Sequence, residues 1–85
     1  MEGMVNDMYG ITRKSVKKVV SEMKSGESIY INAISLTPSA ISQIRTLIKF
    51  GTLIPDKDEA SKMYNDVDSV MNGSVILPQM TYIKA

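Results

Sequence analysis

Two pairs of side chains, Ser15 with Lys18 and Ser21 with Lys24, have the S-x-x-K spacing that sets a lysine amine beside a serine hydroxyl in serine acyl-enzymes. Neither the S-D-N nor the K-T-G companion is present, and serine and lysine are abundant enough that about one such pair arises by chance. The chain has no histidine and no cysteine. That removes the commonest general base at neutral pH, the commonest metal ligand, thiolate chemistry and disulfides. The glycines Gly3, Gly10, Gly26, Gly51 and Gly73 stand alone, so neither a dinucleotide fingerprint nor a P-loop is written. The acidic run from Asp56 lacks the glycine at position six and the carboxylate at position twelve of an EF-hand loop. Its carboxylates read as helix caps and surface. The expectation is a protein without catalytic residues, metal or cofactor.

The charged residues point to contact instead. On a helical projection Arg13, Lys14, Lys17, Lys18 and Lys24 share one arc beside an apolar stripe. Such an arc is a solvated face or a surface for phosphate or an acidic protein. No aromatic residue is interleaved with it, so base stacking is not provided for. Net charge is +1, with 7 basic and 4 acidic residues in 1–51 and 3 basic and 5 acidic in 52–85.

Three helices must position these residues. Thr37 N-caps the central one, Pro38 takes its first position, Leu36 and Ile41 have staple spacing, and Gly51 stops it. Ile41, Ile44, Leu47 and Ile48 form its buried face. Thr12 caps an earlier helix over about 12–25, with Val16, Val19, Val20 and Met23 inward and Gly26 as its stop. Asp56 and Glu59, at capping-box spacing, open a third over about 56–72 that ends at Asn72-Gly73. Ala60, Met63, Tyr64, Val67, Val70 and Met71 make its stripe. The stretch TLIP between the second and third helices reads as a loop.

Residues 28–34 alternate apolar and polar and read as a strand, with a short helix as the competing reading. Residues 75–83 read as an extended tail that Pro78 confines to an edge or breaks in two. The two segments pair in a small sheet, and Val75, Leu77, Met80 and Tyr82 are the candidates for pairing with a second chain at an open edge. The fold expected is α+β: a flexible N-terminus over 1–10 and one compact domain over 11–85.

No apolar run approaches the roughly 18 residues of a membrane span, and the acidic N-terminus is unlike a secretory signal. The expected location is the cytoplasm, the host cytoplasm if the gene is viral. A non-enzymatic protein-binding module is the leading functional expectation: an inhibitor, adaptor or assembly factor of the kind viruses and mobile elements encode. Its partner would be another protein, with homodimerisation as a variant. Seven methionines supply adaptable apolar surface.

The alternative is a dimeric nucleic-acid-binding regulator. Strand, helix, helix over 28–72 is the element order of a ribbon-helix-helix protomer, in which Ser28, Tyr30 and Asn32 would face the groove. A helix-turn-helix or winged-helix arrangement is a variant. Asp56, Asp58 and Glu59 oppose it, because they would be carried toward phosphate.

Overall fold

The computed structural model describes residues 16–85. The expected flexible 1–10 segment, the Thr12 cap and the side chains of Arg13 and Lys14 lie outside the described residues. Among those described, α1 (Val16–Ser21) leads into β1 (Ser28–Asn32) and a single 3-10 turn (Ala33–Ser35). Then come α2 (Pro38–Lys49), β2 (Leu53–Pro55), α3 (Lys57–Met63), α4 (Val67–Met71) and β3 (Gln79–Lys84). The fold class is α+β, as the patterning implies, with one more strand and one more helix than expected.

The sheet has the order β1-β3-β2, and β3 is antiparallel to both neighbours. β1 and β2 are therefore parallel, joined by α2, with β3 in the slot between them: a split β-α-β unit. Ile31, Leu53, Met80 and Tyr82 turn to the helical side and are almost wholly buried. They pack with Val16 and Val20 of α1, with Ala40, Ile44, Leu47 and Ile48 of α2, and with Ala60, Val70 and Leu77. The opposite face carries Ser28, Tyr30, Asn32, Ile54, Gln79, Thr81 and Ile83, as the register and the two-residue period require.

The α2 helix is as its sequence dictates. Thr37 Oγ1 accepts from the Ala40 N–H at 3.2 Å, and Pro38 sits at the first turn. Gly51, at φ +77°, turns the chain out after Phe50.

Four boundaries differ from expectation, each for a local reason. The first helix stops at Ser21, not Ser25, and the cation at its end is not Lys24. Lys84 reaches in from β3, and its ammonium donates to the Val20 and Met23 carbonyls at 2.8 and 3.0 Å. A positive charge on the last carbonyls is what a helix C-terminus favours. The β1 strand ends at Asn32, two residues early. The Asn32 Oδ1 accepts from the Ile34 N–H at 3.1 Å and bends the chain into the 3-10 turn.

The third correction concerns the expected helix over 56–72, which is two helices broken at Tyr64–Asp66. Asp66 caps the second: its carboxylate accepts from the Ser69 N–H at 3.3 Å and the Ser69 hydroxyl at 2.7 Å. An aspartate with that alternative favours a new helix start over continuation. The apolar stripe is divided accordingly, with Ala60 and Val70 buried and Met63 and Tyr64 left in solvent.

The last correction bears on the sheet edge. Residues 53–55, read as loop, form β2, so β3 is the central strand and has no open edge. Met80 and Tyr82 face the core from this central strand, which has a neighbour on each side, and Val75 and Leu77 precede it, so the four do not line an open strand edge. Pro55 fits β2 because the bonds to β3 are made by its neighbours: the Ala85 N–H donates to the Thr52 carbonyl and the Asp56 N–H to the Thr81 carbonyl, each at 2.9 Å. The missing donor of Pro55 falls on the side away from β3.

Beyond Pro55 a side chain continues the ladder. The Thr81 N–H donates to Glu59 Oε1 at 2.7 Å and its hydroxyl to Oε2 at 3.1 Å. Asp56 supplies its half of the capping box, accepting from the Glu59 N–H at 3.1 Å. Glu59 spends its carboxylate on β3 instead of returning the bond. Replacing Glu59 with alanine leaves a half-buried N–H unpaired, for an expected loss of about 1–3 kcal/mol in urea unfolding, while glutamine, which keeps an acceptor, recovers much of it.

Burial, reinforced by the Glu59 charge, raises the Tyr82 phenol from 10.0 to about 12. A folded-state value above the unfolded one stabilises fully below pH 10.0 and is lost as pH rises through about 12. Between about pH 8 and pH 11 the wild type should lose about 1 kcal/mol more than Tyr82→Phe in parallel urea titrations.

Candidate docking edge

The geometry of β1 follows from three hydrogen bonds. The Lys84 N–H donates to the Glu27 carbonyl at 2.8 Å, the Gly26 N–H to the Lys84 carbonyl at 2.8 Å, and the Ala33 N–H to the Pro78 carbonyl at 2.7 Å. With Ile29 opposite Tyr82 and Ile31 opposite Met80, the odd-numbered residues bond to β3. Ser28 and Tyr30 direct their N–H and C=O groups the other way, to the side of the sheet where no described strand lies. The outward Asn32 carbonyl is taken by the Ser35 hydroxyl at 3.2 Å. Among the described residues the open edge is therefore short: the four backbone groups of Ser28 and Tyr30, and the Asn32 N–H.

Beside this edge, between the end of α1 and the start of β1, lies an open groove of about 530 Å³. Val19, Met23 and Ile29, half-buried and packed on the core, supply its apolar surface, and Glu22 and Glu27 its carboxylates. The groove opens where α1 ends at Ser21 and the chain turns toward β1.

The residues singled out from sequence fall into three groups. Lys17, Lys18 and Lys24 are exposed, but Lys24 stands in the turn after α1, so the basic arc does not run along one helix through all of them. Tyr30 is outward and 48% exposed, and its hydroxyl donates to Gln79 Oε1 at 2.9 Å across the strands. Asn32 is half-buried and occupied as the cap of the 3-10 turn. The groove carboxylates were not legible as a site, because nothing in the alternation of residues 19–29 marks where the helix stops.

The catalytic spacing is not realised where it can be followed. The Ser21 hydroxyl donates to the Lys18 carbonyl at 2.7 Å, and Lys24 is not on the same helix. Of the carboxylates opening the later helices, Asp56 and Asp66 are spent on capping and Glu59 on Thr81. The nucleic-acid architectures also differ in geometry. β1 takes its ladder partner from its own chain, where a ribbon-helix-helix dimer pairs that strand with a second copy. A winged helix needs its last two strands joined as a hairpin, whereas α3 and α4 separate β2 from β3.

The two most exposed apolar side chains among the described residues, Ile34 and Phe50, do not share a patch. Ile34 precedes α2 and Phe50 follows it, so the length of a 12-residue helix, about 18 Å, separates them. Among the described residues no helix is long and apolar enough to cross a membrane. Comparison of the chain with protein-family models, with curated proteins and with solved structures finds no match.

The edge geometry has a direct readout. In amide hydrogen exchange the Ile29 and Ile31 N–H groups should be protected, and those of Ser28 and Tyr30 should exchange about a hundredfold faster or more. Equal protection along the strand would mean that its outer side is covered.

Proposed function

We propose that this chain is a non-catalytic protein-binding module that takes an extended segment of its partner onto the free edge of β1. In this mode main-chain hydrogen bonds supply attachment, and side chains entering alternate pockets supply selectivity. The observation that carries the reading is the outward-facing backbone of Ser28 and Tyr30 beside a groove with an apolar floor.

The contrast between the two edges of the sheet supports it. The β2 edge is blunted: it is three residues long and contains Pro55, and Asp56 and Glu59 take over the ladder beyond it. Shortness and proline are devices by which sheets avoid unwanted pairing, and the Glu59 carboxylate closes β3 where β2 stops. The β1 sequence, SIYIN, contains no proline and no charge. Among the described residues one edge is guarded and the other left open.

A proline substitution tests this cleanly. At Tyr30 the N–H points away from β3, so Tyr30→Pro should keep the fold, as prolines on edge strands do, while removing a docking donor. At Ile31 the same change breaks a bond to β3 and should unfold the domain. The expected result is that immobilised full-length chain captures a protein partner that Tyr30→Pro, folded by circular dichroism, does not. A partner held equally by both would overturn the reading. Retention of duplex DNA at low salt, lost on replacing Lys17 and Lys18 with glutamine, would favour nucleic acid in its place.

A further inference from the structure

We infer that the segment taken by β1 is cationic: an extended peptide that lays an apolar side chain over Val19, Met23 and Ile29 and sets lysine or arginine against Glu22 and Glu27. This rests on the proposed docking edge and adds the chemistry of its occupant.

The argument is one of charge complementarity at a shaped surface. The groove runs along the first half of β1, so a strand added beside Ser28 and Tyr30 passes directly over it. Side chains of an added strand alternate between the two faces of the sheet. Those on the helical side meet the apolar floor, and their flanking neighbours meet the rim. The rim is acidic. Glu27 Oε1 accepts from the Lys24 backbone N–H at 2.7 Å, a bond that fixes the carboxylate without neutralising it. Glu22 is exposed, and its N–H donates to the Val19 carbonyl. Two carboxylates at one end of a neutral edge favour a basic partner and disfavour an acidic one. A second copy of this chain fits less well, since its own β1 edge brings Ser28, Tyr30 and Asn32 and no cation.

Three blocked nine-residue peptides test the inference, alternating valine with lysine, with serine or with glutamate. Each is titrated into the full 85-residue chain by calorimetry and by backbone amide shifts. The lysine peptide should bind about tenfold tighter than the serine peptide at low salt, with shifts centred on 19–30, and the glutamate peptide weakest. Raising the salt should close the gap. The double variant Glu22→Gln, Glu27→Gln, which keeps the acceptor that holds Lys24, should abolish the preference and leave the serine peptide unaffected.

Equal binding of all three would overturn the cationic occupant and leave the docking edge standing. Binding of the lysine peptide that survives Tyr30→Pro would overturn both, because attachment would then be charge alone. Failure of every peptide to bind would likewise overturn both. Light scattering that shows a β1-dependent dimer, lost in Tyr30→Pro, would assign the edge to a second copy and overturn the inference.

Discussion

The central strand β3 sets the terms for the rest of the domain. Met80 and Tyr82 are buried against the helices, and a strand buried at the middle of a sheet must have its main-chain groups paired on both sides. β1 covers one side over the full length. The other side is covered piecemeal, by the three residues of β2, then by the Asp56 N–H, then by the Glu59 carboxylate. That sequence of partners explains why the chain can turn into α3 straight after Pro55 without stranding a donor. It also explains why Glu59 does not complete a capping box: Thr81 offers a backbone N–H and a hydroxyl together, where Asp56 would offer one N–H.

The two ends of β3 bind the helices to the sheet by different means. At its C-terminal end Lys84 closes α1 from outside, placing an ammonium on the Met23 carbonyl and on that of Val20, which also accepts from the Met23 N–H. At the N-terminal end the Pro78 carbonyl receives the Ala33 N–H, so the 3-10 turn after β1 is tied to the strand that follows it in the sheet. On the far side of α2, Arg45 donates to the Gly73 carbonyl at 2.9 Å and fixes the end of α4. Gly73 is buried at φ +86°, and a Cβ there would meet the Arg45 carbonyl oxygen at 3.3 Å and Ile48 at 3.4 Å. A side chain at that position would have to push the two helices apart.

How much of this could be read from residues alone depended on the reach of the interaction. The α2 helix was legible whole, because Thr37, Pro38, the Ile44–Leu47–Ile48 face and Gly51 act within a few residues of one another. β1 was legible as far as Asn32, whose capping of Ile34 competes with a strand pattern that runs on past it. The break in the third helix was in principle readable at Asp66, but the Ala60-to-Met71 stripe has the right period across it and masked the new start. What could not be read were the contacts made at long range. β2 exists because it pairs with residues thirty positions later, and the end of α1 is set by a lysine more than sixty positions away. The docking groove inherits that problem, since its shape follows from where α1 stops. Tyr30 faces outward as the strand period implies, whereas Met80 and Tyr82 lie on the central strand because β2, in a stretch that reads as loop, takes the side that Pro78 suggests is an edge.

Magnitudes decide what the β1 edge can do by itself. The outward backbone groups of the β1 edge, at about 0.5–1.5 kcal/mol net each, supply only a few kcal/mol. Association costs at least about 4 kcal/mol in lost translation and rotation before any side chain is ordered. Main-chain pairing at Ser28 and Tyr30 therefore comes close to break-even and gives no selectivity, because every extended peptide carries the same groups. The surplus must come from the apolar floor, where covering one aliphatic side chain is worth about 1.5–3 kcal/mol, and the choice between partners from the Glu22 and Glu27 rim. A short edge is thus suited to recognition in a way a long one is not: with the shared backbone contribution held near zero, the side chains over Val19, Met23 and Ile29 settle whether a segment stays.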